Sequence, residues 1–106
     1  MLDYFKRISF NILAFIYTLI GEDYNRLNYL DKAIKYLEKA IYFNPNYYKS
    51  YFWLGVIYSK QEKFEKSIEL LTKSLKINSS YKYTYLYLGF NYNKTEDYKK
   101  AIEVYE

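Results

Sequence analysis

The stretches Tyr17–Tyr24 (YTLIGEDY), Tyr51–Tyr58 (YFWLGVIY) and Tyr85–Tyr92 (YLYLGFNY) decide how this chain folds. Each opens and closes on tyrosine, and Gly21, Gly55 and Gly89, the only glycines of the chain, recur every 34 residues. Such a period signals internal repetition of a helical unit. Spacings of three and four put the tyrosines, an apolar residue and the glycine on one helical face. Glycine inside a helix costs about 1 kcal/mol relative to alanine. The same cost in the same place three times predicts that a neighbouring helix comes close there.

Outward from each glycine the repetition continues. Ala33, Ser67 and Ala101 share one phase, Leu37, Leu71 and Tyr105 the next, and Ala40 and Ser74 a third, so small residues recur where large ones would intrude. Asn44-Pro45-Asn46 and, one period on, Asn78-Ser79-Ser80 read as stop-and-cap signals between units. Within units, Asn28 with Asp31, and Thr95 before Glu96-Asp97, supply capping oxygens or first-turn carboxylates. The pattern predicts helices near 12–26, 29–43, 47–60, 63–77, 81–94 and 97–105.

In these residues the chain resembles the tetratricopeptide repeat, whose unit runs aromatic-x-x-Leu-Gly-x-x-Tyr, then Ala-x-x-x-Phe/Tyr, then Ala, then Pro. Ile20, Ser67, Ser74 and Ser79 are mild departures. The structural positions are Gly21, Tyr24 and Ala33, then Gly55, Tyr58 and Ser67, then Gly89, Tyr92 and Ala101. The resemblance implies an all-α fold, an α-solenoid of antiparallel helix hairpins winding into a right-handed superhelix. It divides one domain into repeat 1 (14–47), repeat 2 (48–81) and repeat 3 (82–106), which stops partway through its second helix.

Residues 1–13 stand apart. KRISFN at 6–11 looks like KAIYFN at 39–44, offset by 33, so the segment reads as an N-terminal capping helix or a degenerate half-repeat, with a frayed terminus as the plainer alternative. The apolar run from Ile8 to Ile20 after Lys6-Arg7 has the outline of an export or membrane segment. It is short of the roughly 20 apolar residues a bilayer asks for, and the repeat accounts for most of it.

Composition narrows function by exclusion. The 106 residues contain neither cysteine nor histidine, which removes disulfides, thiolate metal sites and the commonest general base and zinc ligand. Glu22-Asp23 and Glu96-Asp97 are the adjacent acidic pairs, and they read as solvating or helix-end carboxylates. No activated nucleophile or phosphate loop is present, so neither an enzyme nor a cofactor or metal is expected. The net charge of +4 comes from lysines dispersed along helices, a solvated basic surface on which nucleic acid and membrane are not expected partners. Seventeen tyrosines suit half-buried packing and binding surfaces alike.

The family resemblance also implies a concave groove built from set positions of each unit's first helix. In the first unit these are Phe15, Thr18, Leu19, Glu22, Asn25 and Arg26. The second supplies Lys49, Phe52, Trp53, Val56, Ser59 and Lys60, and the third Tyr83, Leu86, Tyr87, Phe90, Asn93 and Lys94. Such a wall is apolar in its middle and basic toward one edge, which points to a protein or peptide partner with apolar anchors and acidic flanks. Some of these aromatics are equally suited to packing against adjacent helices. Family members that grip a chaperone's C-terminal carboxylate use lysine, asparagine and arginine, where this chain has Thr18, Glu22, Trp53, Tyr83 and Tyr87, so that clamp is not expected.

The leading expectation is therefore a protein-interaction scaffold. The alternatives are a single-stranded RNA-binding helical repeat, or a regulatory or docking fragment of a larger protein. Ile102 and Val104 near the open end predict either a longer array or self-association through that end. A cytoplasmic location is the default expectation in the absence of a convincing export signal.

Overall fold

A computed structural model describes residues 2–105, which form α1 (Leu2–Arg26), α2 (Leu30–Phe43), α3 (Tyr48–Lys60), α4 (Phe64–Ile77), α5 (Lys82–Lys94) and α6 (Tyr98–Tyr105). Met1 and Glu106, which bound the first and last expected units, lie outside the described residues. Five of the six helices begin and end within a residue of the positions that the sequence predicts.

The exception is α1. It starts ten residues before the predicted Ile12, so the segment expected as a separate N-terminal cap is the first three turns of one 25-residue helix. The physical reason is local: no glycine, proline or turn cluster separates residues 2–11 from the first repeat. Phe10 on this extension meets Phe43 at the end of α2, with ring centroids 5.5 Å apart.

The turns inside the hairpins repeat with the same period. Asn28, Glu62 and Glu96 each adopt a left-handed conformation, with φ of 65°, 62° and 63°. The residue after each one donates its N–H back to the signature tyrosine's carbonyl: Tyr29 to Tyr24 at 2.8 Å, Lys63 to Tyr58 at 2.9 Å, Asp97 to Tyr92 at 2.8 Å. This is a Schellman-type stop. It corrects the expected capping role of Asn28, whose place is the left-handed position after α1. Thr95 likewise does not cap α6, because its hydroxyl donates backwards to the Asn91 and Tyr92 carbonyls at 3.2 Å. Asp97 does cap, accepting the Lys100 N–H at 3.3 Å.

Between units, Asn44 Oδ1 accepts the N–H of Asn46 and Asn78 Oδ1 that of Ser80, both at 3.0 Å. The hydroxyls of Tyr51 and Tyr85 donate to the carbonyls of Pro45 and Ser79, both at 2.7 Å. The absent second proline therefore matters little, since the acceptor is a main-chain oxygen that serine also carries.

The glycine phase has the expected cause. A Cβ on Gly21 would lie 2.6 Å from Leu37 Cγ, and one on Gly55 2.6 Å from Leu71 Cγ, with the carbonyls of Ala33 and Ser67 just behind. Both leucines are fully buried. The core runs in two stretches along the stack, one around Ala33, Leu37, Leu54 and Ile57 and one around Phe52, Val56, Leu71 and Leu88. The molecule is correspondingly elongated, at 50 × 28 × 17 Å.

Candidate partner-binding site

The first helices α1, α3 and α5 lie side by side, and the positions expected to form a groove divide into two groups. Phe15, Leu19, Tyr83, Leu86 and Phe90 remain exposed, Lys60 and Lys94 stand at the edge, and Lys49, Trp53 and Tyr87 are half-buried. Phe52 is not an open wall residue, and Val56 only borders the wall from beneath, at the floor of a recess. At 2% and 1% exposure they belong to the core. The reason is aromatic crowding: Phe52 is enclosed edge-on by Trp53, Tyr81 and Tyr87, with centroids 5.1, 5.1 and 5.7 Å away.

Three polar groove positions are buried as well, because they join neighbouring units. Thr18 Oγ1 and Ser50 Oγ share a hydrogen bond at 2.9 Å, linking α1 to α3. Asn25 Oδ1 accepts from Lys60 Nζ at 2.7 Å. Ser59 Oγ donates to Asn91 Oδ1 at 2.8 Å, Asn91 Nδ2 donates to Ser67 Oγ at 2.7 Å, and Ser67 Oγ donates to the Gly55 carbonyl at 2.5 Å. This chain ties α3, α4 and α5 together through a buried path in which every member is satisfied. Asn91 stands one period after Ile57, and nothing in the repeat pattern marks it for this role.

One interruption is instructive. Thr84 is the counterpart of Ser50, and its buried hydroxyl has no partner. The residue that would supply one, as Thr18 does for Ser50, is Phe52.

What remains open is an aromatic surface with a cationic rim. Val56, Ser59, Lys60, Glu62, Phe64, Tyr87, Phe90 and Lys94 enclose a recess of about 320 Å³ between the C-terminal ends of α3 and α5. Its floor is apolar. Lys94 Nζ sits 5.4 Å from the Phe90 ring centre, so one cation already lies over an aromatic face at the rim. Arg26, one period before Lys60, is paired with Asp23 and contributes less free charge.

Farther along the wall, Tyr47 and Tyr81, one period apart, carry phenols held above their ordinary value of 10.0. Burial is the main cause for both. For Tyr47 the phenol of Tyr48, Glu22 and Tyr81 add to it, and for Tyr81 the phenols of Tyr48 and Tyr83, then Glu22 and Tyr87. The surface offers rings and hydroxyl donors there, with no phenolate at neutral pH. Among the described residues no helix is long and apolar enough to cross a membrane.

Comparison with known proteins agrees with this architecture. Residues 26–106 match the family model described as anaphase-promoting complex, cyclosome, subunit 3. No curated protein matches the sequence. Among solved structures, that of MamA is 25% identical with a TM-score of 0.81, covering 86% of this chain and 53% of its own, so the chain spans about half the length of MamA. The OM64 TPR domain of Arabidopsis is 18% identical with a TM-score of 0.85, covering 90% of this chain and 78% of that one. The second TPR of Spaghetti (RPAP3), solved with the HSP90 peptide SRMEEVD, is 15% identical with a TM-score of 0.84, covering 88% and 86%.

Proposed function

This chain belongs to the tetratricopeptide-repeat family, through the match of three-quarters of its length, and we propose that it acts as a protein-interaction scaffold whose inner wall captures a peptide segment of a partner. The observation that carries the proposal is the recess between α3 and α5: an apolar floor of Val56, Phe64, Tyr87 and Phe90 between two lysines, open to solvent. An apolar side chain beside a carboxylate complements both features, since the ring surface loses water on contact and the carboxylate meets Lys60 or Lys94. The peptide named for the RPAP3 domain belongs to that protein. Here Thr18 and Glu22 stand where a carboxylate clamp would carry cations, and Thr18 is buried, so the ligand class differs.

Selection of a displayed random peptide library on the immobilised chain, followed by titration monitored through Trp53, the only tryptophan, tests the reading. The expected peptides pair an aromatic or aliphatic anchor with a neighbouring acidic residue, and Phe90→Ala weakens them by about tenfold or more, as truncated interface anchors do. Phe90 is 43% exposed, so its truncation leaves the fold intact. Unchanged affinity in both Phe90→Ala and Lys94→Glu would remove this recess from the binding site. Trp53→Ala is the less clean variant, because Trp53 packs against both stretches of the core.

A further inference from the structure

The N-terminal half of α1 carries a second apolar surface, which shares Phe15 and Leu19 with the expected groove wall and lies outside the α3–α5 recess. Phe5, Ile8, Ile12, Phe15, Ile16 and Leu19 are each 39–56% exposed on this helix. At 3.6 residues per turn all six fall within an arc of roughly 100°, and no polar or charged residue between 5 and 19 enters that arc. The faces toward α2 and α3 carry Ala14, Tyr17, Thr18 and Gly21, and Phe15 at the margin of the stripe also meets Tyr47, just before α3, with ring centroids 6.4 Å apart.

The spacing has an internal symmetry. Taken from Ile12, the stripe lies at −7 (Phe5), −4 (Ile8), +4 (Ile16) and +7 (Leu19), with Phe15 beside Ile16. Two copies of the helix laid antiparallel would set Ile12 against Ile12, Phe5 against Leu19 and Ile8 against Phe15 or Ile16. This is the self-complementarity of an isologous two-fold interface, and steps of three and four residues are those of helices crossing at about 20°. No charge in the stripe would face its own copy. With about half of each large side chain exposed, two copies would bury on the order of 1,200 Å², the lower end of stable interfaces.

We propose that this chain forms a two-fold symmetric homodimer through antiparallel packing of α1 on α1 about Ile12. The dimer covers Phe15 and Leu19 of the expected wall but none of the residues that line the α3–α5 recess, so it carries two recesses at once.

The test uses the chain as it stands. Sedimentation equilibrium from 1 to 200 µM is expected to show twice the 13.0 kDa of one chain at the upper end. Ile12→Glu places two like charges across the axis and raises the dissociation constant by at least about tenfold, while circular dichroism and melting stay those of the folded chain because Ile12 is half exposed. With no native cysteine, pairing can be read directly by mild oxidation. Ile12→Cys cross-links to itself, whereas Phe5→Cys does so only when mixed with Leu19→Cys. A monomer throughout, a dimer indifferent to Ile12→Glu, self-linking of Phe5→Cys as readily as Ile12→Cys, or recruitment of monomers to anionic vesicles in place of dimers would each overturn the proposal. None of these variants touches the recess, so peptide binding is scored separately.

Discussion

Replacing Gly55 by alanine sets two effects of known sign against each other. Helix propensity favours the change by about 1 kcal/mol. Against it, the new methyl lies 2.6 Å from Leu71 Cγ and 2.8 Å from Leu71 Cδ2, where carbon atoms at rest stand about 3.5–4.0 Å apart. Leu71 has nowhere to go, being fully buried within the α3–α4–α5 core. Relief therefore requires α3 and α4 to separate by nearly 1 Å. That forfeits dispersion along the contact and stretches the Ser67 hydroxyl bond to the Gly55 carbonyl. Overpacking of this kind costs about 1–3 kcal/mol and occasionally more. With the helix gain included, Gly55→Ala should lose up to about 2 kcal/mol, or as much as roughly 15 °C of melting temperature for a domain of this size. The matched control is Gly89→Ala. There the methyl meets the ring of Tyr105, which is 53% exposed and can swing outward, so the substitution should be neutral within about 1 kcal/mol. Thermal and urea denaturation of the pair, followed by circular dichroism, measure both. Equal effects at the two sites, or a higher melting temperature for Gly55→Ala, would refute the close-approach explanation of the repeated glycine.

Other outcomes follow from the same structure. Thr84→Val removes a buried hydroxyl with no partner and keeps its shape, so urea unfolding should show no loss, or a gain of up to about 1 kcal/mol. Asn91→Leu strands the Ser59 hydroxyl and should cost about 1–3 kcal/mol by the same assay. Glu62→Asn places at φ 62° the residue type that the first hairpin already uses at Asn28, and should stabilise by about 0.5–1 kcal/mol. The raised phenols of Tyr47 and Tyr81 set a sign for alkaline pH. Their neutral form is favoured on folding, so the contribution is complete below the unfolded value near 10 and is lost as pH rises through the folded values. Spectrophotometric titration should find tyrosines ionising late, and melting temperature should fall above about pH 10; a stability that rises there would contradict the burial of these rings.

The parts of this fold legible in the sequence are those fixed by a residue type that has few other reasons to occur. Glycine three times inside helical faces had one explanation, close approach, and Leu37 and Leu71 supply it. Groove membership was less legible because periodicity gives a position's angle on its helix and says nothing of what the neighbouring unit places opposite. Position by position Phe52 and Leu86 are equivalent, yet one is enclosed by Trp53, Tyr81 and Tyr87 and the other is open. The length of α1 is not legible for the opposite reason: the repeat template sets a boundary where no residue enforces one.

The abundance of tyrosine and lysine has a structural account that composition alone could not provide. Lys32, Lys66 and Lys100, 34 residues apart, place their ammonium groups 5.7, 4.7 and 5.8 Å from the ring centres of Tyr24, Tyr58 and Tyr92. Lys39 and Lys73 do the same over Tyr17 and Tyr51 at 5.7 and 5.0 Å. Five of the six signature tyrosines, all but Tyr85, thus have a cation from the second helix of their own hairpin at the ring, which covers the edge of a large ring that is buried or half-buried. Part of the basic charge of the second helices is accordingly seated on tyrosine faces. If the account holds, Lys66→Gln loses about 0.5–1 kcal/mol of stability, whereas Lys60→Gln, at a residue that lines the recess, costs little stability beyond its single bond to Asn25 and is felt in peptide affinity. Equal stability losses at the two lysines would show that the tyrosine faces gain nothing from their cations, and the lysines of the second helices would then return to the pool of charge available to an anionic partner.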